Sequence, residues 1–262
     1  MSSALTESID VAQVVLYAFW AFFFGLIFWL RREDRREGYP LETDAAGLLH
    51  AVSPVLIPPP KTFLLPDGGA VEAPNFERDR RPVMAERTLG GSGAPLEPTG
   101  DPMLSGVGPA SFAQRADKPE LTREGHDLIV PMRVATDFAV NAGPDPRGWN
   151  VVAADGEVAG VVKDLWVDRA DIMVRYLEVE LLGASAEADS AAAETRLLPI
   201  TMLRLLREPK KVEVVAVRAG HFASVPTLKN PDRITLLEEE QICAFYAGGR
   251  LYAEPKRLGP VL

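Results

Sequence analysis

The chain has 262 residues, 37 acidic against 28 basic, and a formal net charge of −9. That balance argues against nucleic-acid binding, which needs a basic stripe to displace counterions from phosphates. The single cysteine, Cys243, excludes an intrachain disulfide and paired-cysteine zinc sites, and His50, His126 and His221 show no metal-binding spacing, so no metal is expected.

Residues 1–10 form a short lead with Glu7 and Asp10 and no Lys or Arg. From Val11 to Leu30 only Gln13 is plainly polar; at a rise of 1.5 Å per residue, this stretch covers about 30 Å, the thickness of a bilayer's hydrocarbon core. A secretory signal peptide carries a basic lead, a shorter apolar core and a small-residue cleavage site. None of these is present, so residues 11–30 are predicted to be a transmembrane helix. Arg31, Arg32, Arg35 and Arg36 follow directly, and the positive-inside rule then places the N-terminus in the periplasm and the rest in the cytoplasm. Trp29 suits an interfacial aromatic belt, and Ala18, Ala21 and Gly25 leave a smooth stripe for a partner helix. Tyr39 and the four arginines are candidates for contact with lipid headgroups or partner subunits.

Residues 31–120 read as an extended, mostly irregular segment on the cytoplasmic surface. Fourteen of the 22 prolines fall between residues 40 and 131, and proline removes a backbone donor and fixes φ, which disfavours long helices and central strands. Apolar groups such as "TFLLP" and "MLSGVGPASF" recur in it, as expected of a segment ordered along another protein's surface. Residues 78–94 are its expected mobile part.

Residues 121–262 change character. "LIVPMRV" (128–134), "WNVVA" (149–153), "EVAGVVKDLWVD" (157–168), "IMVRYLEVELL" (172–182), "TRLLPI" (195–200) and "KVEVVAV" (211–217) are short, β-branched and separated by turn signals, a pattern that predicts a small antiparallel barrel or sandwich. The acidic, small-residue run at 183–194 reads as a solvated loop. Thr235 and Glu238 form a capping box for a closing helix with Leu236, Ile242, Cys243 and Tyr246 facing inward, and Gly248 and Gly249 are expected to stop it. The predicted fold is thus a membrane-anchored α+β chain: one N-terminal transmembrane helix, a proline-rich segment, and a mainly antiparallel β-barrel-like domain closed by a C-terminal helix.

No GxGxxG, P-loop or GxSxG motif is present, so no catalytic centre is expected. Two groups of ionisable residues stand out instead. Asp171 and Arg175, four apart on a predicted strand, emerge on one face, with Asp168 and Arg169 at the strand's mouth. "TREGHD" (122–127) places Glu124, His126 and Asp127 together, and a carboxylate–histidine group can exchange protons near neutral pH.

Taken together, "REGYPLE" (36–42), "PKTFLLP" (60–66), "PTGDPMLSGVGPASF" (98–112), "EVAGVVKDLWVD", "RYLEVEL" (175–181), "LLPI" (197–200) and "VPTLKNPDRITLLEEEQICAFYAGGRLYA" (225–253) resemble, in order and spacing, the H subunit of purple-bacterial photosynthetic reaction centres. The resemblance implies a non-catalytic subunit with a PRC-barrel-type domain and no cofactor of its own. Bacteriochlorophyll, bacteriopheophytin, quinones and non-haem iron belong to the L and M partners. A light-harvesting ring, a cytochrome subunit and membrane lipids are further implied neighbours, in the inner, intracytoplasmic membrane. The implied work is to shield the quinones and conduct protons to the secondary quinone. On this resemblance Asp171, partly buried beside Arg175, and Asp168 match the family's proton-path cluster, and His126 matches its proton entrance. The family pattern at that entrance has two histidines and an aspartate, where this chain has Thr122, Glu124 and His126. The run at 183–194 is longer than the family's usual turn. The alternative reading is a membrane-tethered PRC-barrel scaffold without a photosynthetic role.

Overall fold

Asp10 opens the first helix by accepting the backbone N–H of Ala12 at 2.9 Å, and α1 runs Val11–Glu33. The computed structural model describes residues 10–39, 54–65, 68–75, 82–89, 94–141, 143–182 and 194–258. They fall into two units, Met1–Pro82 with Leu89–Pro95, and Val83–Thr88 with Leu96–Leu262. Of the sequence readings, residues 1–9 of the N-terminal lead, 40–42 of "REGYPLE", 66 of "PKTFLLP" and 183–193 of the acidic run lie outside the described residues, as do 78–81 and 90–93 of the stretch expected to be mobile.

In the first unit, α1 extends three residues beyond the apolar stretch, into the arginines. Arg31 and Arg32 are good helix formers and sit favourably at the negative end of the helix dipole. No residue of α1 is buried, as expected for a helix whose surroundings are lipid or other helices, and Phe19, Trp20, Phe23 and Phe24 pack ring on ring along it. A hairpin follows, β1 (Lys61–Leu64) against β2 (Ala70–Ala73), with Lys61 opposite Ala73. Its apolar side chains Phe63, Leu64 and Val71 are exposed.

In the second unit, β3 (Ala85–Arg87) and β4 (Leu96–Pro98) make a short hairpin, so part of the stretch expected to be mobile is a strand. Irregular chain leads to β5 (Ile129–Pro131), β6 (Asn150–Val152), β7 (Val158–Asp168), β8 (Met173–Leu181), β9 (Thr195–Pro199), β10 (Leu203–Arg207) and β11 (Lys210–Val214). They form one sheet in the order β10-β11-β6-β7-β8-β9; β6 pairs with the first part of β7 and β5 with its last three residues. Every pairing is antiparallel except β11 with β6. Among the described residues β9 and β10 do not pair, so the barrel is not closed by hydrogen bonds. Trp166, Leu177, Leu198 and Val212 from the sheet, with Phe222, fill the core.

The closing helix α2 (Leu236–Tyr252) covers this core with Ile242, Phe245 and Tyr246. Its capping box is present: Thr235 Oγ1 accepts from Glu238 N at 3.1 Å, and Glu238 Oε2 accepts from Thr235 N at 2.8 Å. The helix does not stop at its glycines. It runs through Gly248 and Gly249 to a cap at Ala253, and the glycines serve close packing instead. A Cβ on Gly248 would stand 2.8 Å from Ala110 Cβ, and one on Gly249 would stand 2.4 Å from Val217 Cγ1.

Candidate functional site

The β7–β8 turn carries the charged residues singled out in the sequence. Asp168 is the last residue of β7 and only 1% exposed. Its Oδ1 accepts the backbone N–H groups of Ala170 at 2.9 Å and Asp171 at 3.0 Å, so the side chain builds the turn that reverses the chain. Its Oδ2 accepts Arg175 Nε at 3.1 Å and Nη2 at 2.9 Å, and the same Nη2 reaches Asp171 Oδ2 at 2.9 Å.

Asp171 and Arg175 therefore meet, but not as two residues of one strand. Asp171 lies in the turn, β8 begins at Met173, and the pair forms because the turn folds back over the strand. Asp171 is also not partly buried: its side chain is 59% exposed. Between them Ile172 holds φ at 53°, a left-handed conformation that is an outlier for a β-branched residue, and it is 76% exposed. Strain of this kind costs on the order of 1–3 kcal/mol and persists only where neighbours hold it.

The two carboxylates are set up differently. Burial pushes Asp168 upward, but the N–H of Asp171, the Arg175 guanidinium and the N–H of Ala170 outweigh it and hold the carboxyl below its usual range. Asp168 is thus a fixed negative charge that anchors Arg175. Asp171 is open to solvent.

The turn at 122–127 is closed by the hydrogen bond from Thr122 N to His126 O at 2.7 Å and by the Leu121–Asp127 bridge. Glu124 and His126 are exposed. Among the described residues no hydrogen bond or ion pair joins their side chains to the Asp168–Arg175 group.

In the helix-end cluster, Arg36 faces inward. It bonds Glu33 at 2.7 and 2.9 Å and the carbonyls of Pro59 at 2.8 Å and Ala73 at 2.9 Å, so it ties the hairpin to the foot of α1. Arg35 lies 6.0 Å over the Tyr39 ring, while Trp29 and Arg31 are exposed and Arg32 is half-buried.

Two groupings escaped the sequence reading. Arg133 Nη1 bonds Asp164 at 3.2 Å and Glu178 at 2.5 Å, both carboxylates being buried, and Trp166 Nε1 also donates to Glu178 at 3.0 Å. Tyr176 donates to Glu239 at 2.9 Å and lies 3.8 Å from Cys243 Sγ. The available signal was a carboxylate in an otherwise apolar strand: Glu178 in "RYLEVEL" and Asp164 in "VVKDLWVD" sit where burial demands a partner. Among the described residues no cluster of three or more His, Cys, Asp or Glu could hold a metal ion.

Comparison with known families completes the site's setting. Residues 3–134 match the family described as photosynthetic reaction centre, H-chain N-terminal region, and residues 139–220 match the PRC-barrel domain.

Proposed function

We propose, from the premise that this chain belongs to the photosynthetic reaction-centre H-chain family, that it caps the quinone side of an L/M core, shields the quinones and conducts protons to the secondary quinone. As a structural subunit of that complex it works in association with other reaction-centre subunits, which speaks against the scaffold reading. The apolar helix α1 fits a single-pass anchor. The arginines at its end support an N-terminus in the periplasm and the β-rich unit in the cytoplasm, within the inner membrane. Residues 31–120 then lie along the L and M surfaces and residues 121–262 form the cytoplasmic domain. A light-harvesting ring and a cytochrome subunit are further neighbours in this reading. Arg31, Arg32 and Arg35 face lipid headgroups, with Trp29 and Tyr39 at the interface.

The observation that carries the proton-conducting part is the shared guanidinium at the β7–β8 turn. Arg175 bridges a buried Asp168, held charged at neutral pH, and an exposed Asp171. An arginine does not itself release a proton, so its role is to position Asp171 and to balance Asp168. Asp171 takes protons from solvent and passes them inward; Glu124 and His126 collect them at the surface. Reduction of the quinone to the quinol consumes two electrons, which the partner core supplies, and two protons, which this chain conducts. The chain holds no catalytic centre of its own in this account.

Flash-induced absorbance and proton uptake, recorded on the complex purified through this chain, test the reading. Charge separation with proton uptake after the second flash is expected. A colourless preparation without a light response would overturn it.

A further inference from the structure

Glu239 stands in the first turn of α2, half-buried, with Oε2 accepting the Tyr176 hydroxyl at 2.9 Å. Tyr176 is itself buried and is the residue after Arg175 on β8. Charged and titratable groups face Glu239 from three directions. Arg175 and Tyr176 come from β8, Arg115 and Glu120 from the irregular chain before β5, and Cys243 from its own helix; Arg115 also lies 3.6 Å from Glu240, whose charge acts on Cys243.

We propose that Glu239 is a second proton-holding carboxyl of this subunit, set by Tyr176 and placed between the Arg115–Glu120 chain and the Arg175 end of β8. The inference rests on the proton-conducting reading above and names a group that reading does not use. Three ionisable side chains meet here, and burial acts on each of them. Burial first, with the charges of Cys243 and Glu239, drives the Tyr176 hydroxyl up and away from neutrality. Burial likewise drives the Cys243 thiol up, so it stays protonated. Burial and the Glu120 charge raise the Glu239 carboxyl toward neutrality, against the opposing effects of the Tyr176 hydrogen bond and of Arg115 and Arg175. The carboxyl can hold a proton where exposed glutamates cannot, and its charge is felt by Arg175, the residue that positions Asp171.

The test is an infrared titration of the intact complex in the dark, comparing wild type with Glu239→Gln and Tyr176→Phe. In wild type a protonated-carboxyl band is expected to titrate above the ordinary glutamate range and to be missing in Glu239→Gln. Tyr176→Phe removes a donor that favours the charged form, so the midpoint of the band shifts upward. A titration unchanged by Glu239→Gln, or a midpoint unmoved by Tyr176→Phe, would overturn the inference. No electron transfer is involved, so failure of the Asp171 relay leaves this titration intact. The pH profile of second-flash proton uptake completes the test: Glu239→Gln is expected to displace it, and an unchanged profile would overturn the inference while leaving Asp171 in place.

Discussion

Arg175 Nη2 lies 2.9 Å from Asp168 Oδ2, joining an exposed turn to a carboxylate that solvent scarcely reaches. Because Asp168 is held below its usual range, its contribution to stability has a defined sign. It is fully present above the unfolded-state value, about 3.9, and is lost as pH falls through the lower folded value. Asp168→Asn is expected to lower the melting temperature of the complex at neutral pH and to flatten its fall between about pH 4 and more acidic conditions. Melting curves across that range check both effects.

Arg133 serves Asp164 and Glu178 together, and both carboxylates are buried. Arg133→Met leaves them without their cation. The carboxylates are buried but the Arg133 side chain is 37% exposed, so solvent screens the pair and the expected cost is about 1–3 kcal/mol, with Trp166 and the backbone of Leu165 still donating. Pairing Arg133→Met with Glu178→Gln should recover part of that loss. Hydrogen exchange in β7 and β8 reports it locally.

Gly249 meets Val217 Cγ1 and Ala216 O at distances no Cβ tolerates. Gly249→Ala improves helix propensity yet is expected to destabilise by about 1–3 kcal/mol through overpacking. Gly220→Ala, with nothing within 4 Å of its Cβ, is the control and should leave the melting temperature nearly unchanged.

The same glycines show where sequence reasoning works and where it fails. The capping box at Thr235 and Glu238 was legible because both partners lie within four residues. The helix end was misread because Gly248 and Gly249 answer to Ala110, Met103 and Val217, which only the tertiary fold brings near. Six strands were legible from β-branched runs. Strand β10, "LRLLR", was not, since leucine and arginine favour helix and only the pairing with β11 makes it a strand. At the site, Asp168, Asp171 and Arg175 were legible as a group, but which carboxylate is buried was not. That depends on the Asp168 side chain closing the turn on the N–H groups of Ala170 and Asp171. Arg36 read as a headgroup ligand alongside its neighbours, whereas two carbonyls far along the chain turn it inward.

The central claim is that the exposed carboxylate at the β7–β8 turn delivers protons to the partner core. Its most direct test is the rate of the second proton-coupled electron transfer in complexes carrying Asp171→Asn, measured by flash absorbance with proton uptake. The account predicts that the second-flash step slows while the first charge separation keeps its wild-type rate. Equal rates in variant and wild type for both steps would contradict it.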